Sequence, residues 1–161
     1  MGIRALVITV FAAAVAALTL FFRIPVPATG GYLNLGDVLI IFAGLRLGPV
    51  VGAGAGAFGS AAADLIGGYA TFLPVTLFAK GLEGWLPGLV AHRSPGRGRA
   101  WAGAALGAAA MALGYLAAES LMPGIGPAIA LAEFPGNILQ GLAGAIGGYG
   151  LSRSVDAAFR D

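Results

Sequence analysis

Residues 5 to 22, ALVITVFAAAVAALTLFF, run without a single charged side chain. About 20 apolar residues make a helix long enough to cross the ~30 Å hydrocarbon core of a bilayer. Only a structure that satisfies every backbone N–H and C=O internally survives there. The run therefore predicts a membrane span, and the rest of the chain repeats the signal. LGDVLIIFAGL at 35 to 45 stops at Arg46, and Pro49 opens a second apolar run reaching Gly68. TFLPVTLFAKGLEGWLPGLVA at 71 to 91 is interrupted by Lys80 and Glu83. Further spans are read from Ala100 to Leu121 and from Phe134 to Leu151, with HRSPGRGR and MPGIGPA as loops. Composition agrees, since 10% of the residues are charged and 58% hydrophobic, with a mean hydropathy of +0.90. An average soluble domain carries about 25% charged residues, and this chain has too few to cover an aqueous surface. The expected fold is all-α: one domain over 1–161, a polytopic membrane protein with six transmembrane helices.

The choice of six spans over five rests on arginine distribution, because positive charge gathers in cytoplasmic loops. Six spans place Arg4, Arg46, Arg93, Arg97, Arg99, Arg153 and Arg160 on one side, leaving Arg23 opposite and Lys80 within the membrane. Merging the runs before and after Arg46 would scatter them. Both termini are thus expected in the cytoplasm, with the loops near 23 to 34, 67 to 72 and 122 to 133 facing outward. A cleaved signal peptide is the alternative for the first run, but its apolar stretch exceeds the usual ~7–15 residues and no A-x-A site follows.

GPVVGAGAGAFGSAAAD, at 48 to 64, poses a competition between two readings. Gly54, Gly56 and Gly59 have the G-x-G-x-x-G spacing of a dinucleotide-binding turn, which needs a preceding strand and an amphipathic helix after it. Gly48, Gly52, Gly56 and Ser60 recur every four residues, the small-residue face that lets membrane helices approach closely. The helix reading prevails because the stretch lies inside a span. Gly103 with Gly107 and Gly144 with Gly148 repeat that logic.

Several chemistries are excluded or disfavoured. With no cysteine, disulfides, iron–sulfur clusters and cysteine-ligated zinc are excluded. No Walker A lysine follows a glycine run, so no ATP site is expected. A single His92, with no D-x-x-D or H-x-x-x-H motif, argues against a metal-dependent membrane enzyme. No cofactor, metal or nucleic-acid partner is expected, the net charge being only +2.

Function is sought among polar residues a bilayer disfavours, each costing about 2.5–3.5 kcal/mol if charged at mid-membrane. On the six-helix layout they converge on the outer half: Asp37, Asp64, Lys80, Glu83, Glu119, Asn137 and Gln140. An outward-facing cavity is expected, with Tyr32, Tyr69, Phe72 and Phe134 near its mouth and Trp85 deeper. Structural readings compete at each position. Lys80 and Glu83 can neutralise one another at i, i+3. Asn34 and Asp37 can cap the second helix, and Asp64 can be satisfied by a hydroxyl or by Lys80. Glu119 and Glu133 read as solvated loop-end charges, and His92 as an interface residue.

The run GGYLNLGDVLIIFAGLRLGPVVGAGAGAFGSAAADLIGGYATFLPVTLFAKGLEGWLPGLVA, with the first helix before it, resembles the substrate-binding S component of energy-coupling factor (ECF) transporters, closest to the riboflavin-type branch. YLNLGD, GSAAADLIGGY and KGLEG are the most specific parts. The resemblance implies a six-helix protein of the prokaryotic cell membrane, not an enzyme, that binds a water-soluble vitamin or precursor from outside. It implies partners as well: a transmembrane coupling subunit and two ATPase subunits. Ala12 with Ala16 and Ala13 with Ala17 match the small-residue face that meets the coupling subunit in that family. Ligand contacts would fall on Lys80, Asn137 and Gln140, with Asn34 and Tyr69 from the loops. Riboflavin, a pyridoxine-type vitamer, a thiamin precursor and a cobalamin-type ligand all remain open. An autonomous secondary transporter or channel is the competing class; it would need ionisable residues through the inner half, where the chain has almost none.

Overall fold

Glycine and proline set the helix boundaries. Gly48 ends the second helix with φ at 95°, a conformation costly for any residue with a Cβ, and Pro49 starts the third at a position where its missing N–H is no loss. Gly68 closes that third helix in the left-handed region, φ 84°, its N–H turned back toward the carbonyls of Asp64 and Leu65. The computed structural model describes residues 2–27, 30–92 and 96–158. Within them lie α1 (Ile3–Phe21), α2 (Gly36–Leu47), α3 (Pro49–Gly67), α4 (Leu73–Ala91), α5 (Arg97–Leu121) and α6 (Gly126–Ala158). Between α1 and α2, β1 (Arg23–Val26) pairs antiparallel with β2 (Gly31–Asn34), Arg23 opposite Asn34 and Val26 opposite Gly31.

Short α2 lies at the centre and packs on α1, α3, α4 and α6. Its Ile40, Ile41 and Ala43 are fully buried. The glycine faces are the seams that bring the helices together. A methyl group at Gly52 would strike the Gly84 carbonyl and the Gly44 backbone, one at Gly56 the Lys80 carbonyl, and one at Gly59 the Ala12 carbonyl. Gly103 and Gly107 seat α5 against Pro87, and Gly144 and Gly148 seat α6 against Asp37 and Ile41. Gly54 faces Ile8 of α1. The G-x-G-x-x-G stretch is thus the middle of a helix packed through its glycines.

Four helices, α1, α3, α5 and α6, have the length and apolar content to cross a membrane. At 12 residues α2 is about 18 Å long, short of a crossing by itself, and α4 carries Lys80 and Glu83. Two expected loops are structured. The 23–34 segment forms the hairpin, and the 122–133 segment is helical from Gly126 onward, so that α6 runs for 33 residues, about 50 Å. Pro127 falls where a helix tolerates proline, in the first turn, and the alanine-rich sequence after it favours helix. Helix α5 likewise begins at Arg97, three residues before Ala100. Arg4 and Arg99 line one cavity with the α2–α3 turn, and Arg46 pairs with Asp156 of α6, so these arginines gather at the end opposite the hairpin. Arg93 and Arg160 lie outside the described residues.

Candidate ligand site

At the hairpin end four helices turn polar pairs inward at i, i+4: Ser60 and Asp64 from α3, Thr76 and Lys80 from α4, Tyr115 and Glu119 from α5, Glu133 and Asn137 from α6, followed by Gln140. That spacing stacks side chains on one helix face. Tyr32 and Asn34 of β2 add to the lining, and Phe72 joins from the turn before α4. They enclose a cavity of about 30 Å³, room for about two waters.

Lys80, 2% exposed, is the deepest cation among the described residues. Its ammonium donates to Asp37 and, at 3.0 Å, to Glu83. Gln140 Nε2 donates to the other Asp37 oxygen at 2.8 Å, and its Oε1 accepts from the backbone N–H of Asn34 at 2.8 Å. Asn34 Oδ1 in turn accepts from the Gly36 N–H at 2.8 Å and from the Thr19 hydroxyl at 3.2 Å. A continuous hydrogen-bonded chain therefore links the buried lysine to the hairpin and to α1. Neither residue is the N-cap of α2, which is Leu35: Asn34, one residue before it, accepts from the Gly36 N–H, and Asp37, in the first turn, is a counter-ion.

At the mouth, the Tyr32 hydroxyl donates to Asp64 Oδ1 at 2.6 Å. Burial, and then the Asp64 carboxylate that it bonds, push the Tyr32 phenol far above its ordinary range, so it remains a donor. Tyr32 meets Tyr69 edge-on with ring centroids 4.6 Å apart, and the Arg23 guanidinium lies 5.6 and 5.3 Å from the two rings. Thr76 and Tyr115 share a 3.0 Å hydroxyl contact. Asp64 Oδ2, one oxygen of Glu119 and the Asn137 Nδ2 are buried with no hydrogen-bond partner among the described residues.

Of the residues singled out in the sequence, Asn34, Asp64, Lys80, Asn137 and Gln140 line the cavity. Asp37 and Glu83 stand behind Lys80 as its ionic partners, and Tyr69 braces Tyr32. Asp64 is hydrogen-bonded by a hydroxyl, that of Tyr32. Two expectations are corrected. Trp85 is 39% exposed and Phe134 lines an apolar groove between α5 and α6, so neither borders the cavity. Glu119 and Glu133, read as solvated, are 3% and 7% exposed and belong to the lining. Ser60, Thr76 and Tyr115 were missed, and the i, i+4 pairing of polar residues is the signal that marks them. On α1, Ala13 and Ala17 are exposed, whereas Ala16 is 8% exposed against this chain's own helices. Ala12, Ala13 and Ala16 border a groove shared with Phe58 and Ala62 of α3.

An apolar helical exterior around a buried polar cavity, roofed by a hairpin at one end, defines a membrane-embedded protein that binds a small polar molecule. The family model of the ECF-type riboflavin transporter S component matches residues 3–157, and the chain belongs to this family. It is also 42% identical over 138 residues to an uncharacterized protein in the gap 3′ region of Pyrococcus woesei, a match covering 86% of this chain and 91% of that protein. The chain is accordingly a multi-pass membrane protein and a substrate-binding component of vitamin uptake, in a family of transporter components and not of enzymes.

Proposed function

We propose that this chain captures a water-soluble vitamin or precursor at its hairpin end. It then delivers the ligand with an energy-coupling module, a transmembrane coupling subunit and two ATPase subunits, in the plasma membrane of a prokaryote. The observation that carries this reading is the convergence of four polar helix faces on one buried cavity in a chain of the S-component family. In the proposed orientation six helices span the bilayer, both termini are cytoplasmic and the hairpin faces outward. The arginines at the opposite end support it, by the rule that basic residues stay inside. Lys80, Asn34, Asp64, Asn137 and Gln140 are the proposed ligand contacts, with Asp37, Glu83 and Tyr69 holding them in place. Ala12, Ala13, Ala16 and Ala17 mark the proposed docking face, Ala13 and Ala17 being its exposed part. Riboflavin, which the family description names, is the first ligand to test, beside pyridoxine-type, thiamin-precursor and cobalamin-type compounds.

The test is uptake of labelled vitamins by cells lacking their own transporters, with this chain expressed alone and with coupling and ATPase subunits. Uptake that requires all the subunits is the expected result. Full-rate uptake by the chain alone would identify an autonomous transporter and overturn the reading. Substituting Ala13→Leu should leave ligand affinity unchanged and abolish ATP-dependent uptake, because bulk on that face blocks close helix approach.

A further inference from the structure

We infer that this site takes an organic cation: a ring-bearing, water-soluble compound whose fixed or protonated positive group lies against Glu119 and Glu133, with a hydrogen-bond acceptor turned to Lys80 and Asn137. The inference rests on the substrate-binding reading above and narrows its ligand. The charge distribution around the cavity carries it. Among the described residues, Asp64, Glu119 and Glu133 line the cavity, and Lys80 is the one Lys or Arg in the lining. That lysine is bonded to Asp37 and Glu83 behind it, so its single charge is spread over more carboxylates than it can neutralise. Asp64 bonds to Tyr32, a neutral donor. Arg23 sits beside the Tyr32 and Tyr69 rings and does not line the cavity.

An excess of buried carboxylate is costly unless a counter-charge arrives or protons are taken up. Glu119, 3% exposed, keeps one oxygen with no hydrogen-bond partner among the described residues. Asn137, 7% exposed, keeps its Nδ2 donor likewise unused. An unused acceptor and an unused donor in one cavity ask for a ligand with both a donor-bearing cationic group and an acceptor. The Lys80 ammonium spends two of its three protons on Asp37 and Glu83 and has one left for that acceptor. Aromatic rings of Tyr32, Phe72 and Tyr115 in the lining suit a flat, charged ring by cation–π contact. No group of three or more His, Cys, Asp or Glu among the described residues is placed to hold a metal ion, which favours a diffuse organic cation over a compact metal.

The experiment is calorimetric titration of the purified full-length protein in detergent with three probes: thiamin, which carries a fixed ring charge; pyridoxamine, which carries a protonated amine; and riboflavin, which is neutral. At least one of the cations should bind about tenfold or more tightly than riboflavin. Glu119→Gln or Glu133→Gln, which keep shape and remove charge, should weaken the bound cation by about ten- to a hundredfold. Melting curves confirm that each variant is folded, and the wild-type preference stands even where a variant is not. Tighter binding of riboflavin than of both cations overturns the inference while leaving the substrate-binding reading intact. So does a bound cation indifferent to both glutamine variants, or binding of neither cation. Failure of the reading itself shows elsewhere, as vitamin uptake that ignores the coupling module.

Discussion

Lys80 was legible from the sequence as a charge too deep to leave uncompensated, and Glu83 one turn on was the visible partner. Asp37 was not, because it lies 43 residues away and no periodicity ties it to Lys80. Removing one member of a buried pair strands the other charges, so Lys80→Met should destabilise the protein by about 3–5 kcal/mol. Thermal melting in detergent checks this; an unchanged midpoint would show that Asp37 and Glu83 are comfortable without it. Tyr32 offers a pH test. Its folded-state pKa is raised, so the unfolded chain loses the phenolic proton first as pH climbs past about 10. Its contribution is fully present below that pH and lost above it, giving a falling alkaline limb of stability with a slope near one proton. Tyr32→Phe should flatten that limb, as read from melting midpoints between about pH 9 and 11.

At the level of elements, glycine spacing carried the most information. Four-residue intervals in 48–60 predicted close helix approach, and the backbone of α3 does press on α4 through Gly52 and Gly84. Gly84→Val should therefore cost about 1–3 kcal/mol or more, since the added Cβ would strike the Gly52 carbonyl, a backbone group and not a flexible side chain. Gly150→Val, on the exposed face of α6 with open space around it, serves as the control that should lose no stability in the same melting experiment. What the sequence hid has physical causes. RIPV and GYLN are too short for alternation to stand out, and a hairpin forms there because α1 and α2 hold its ends. MPGIGPA looks like a loop by its prolines and glycines, yet Pro127 sits where a helix start tolerates it. The polar faces were individually visible as Asp64, Lys80, Asn137 and Gln140. Their helix partners Ser60, Thr76 and Tyr115 read as ordinary residues until the i, i+4 pairs are seen to meet.

For the whole molecule, the arrangement of arginines makes the membrane orientation testable in a chain that has no cysteine of its own. A cysteine at Pro123, in the α5–α6 turn, should react with an impermeant thiol reagent added outside intact cells, and one at Ser154, near the end of α6, should react only after permeabilisation. The reverse pattern would invert the proposed orientation. The hairpin has a kinetic consequence. Its two anchors, Tyr32 to Asp64 and Asn34 to Gln140, roof a space of about 30 Å³, while pockets for drug-sized molecules run to about 300–1,000 Å³. A vitamin-sized ligand must wait for that roof to lift, so its observed association rate should level off with rising concentration at the roof's own opening rate. Tyr32→Phe, with one anchor gone, should raise that plateau and shorten the bound lifetime, a trade in which the protein captures faster and holds for less time.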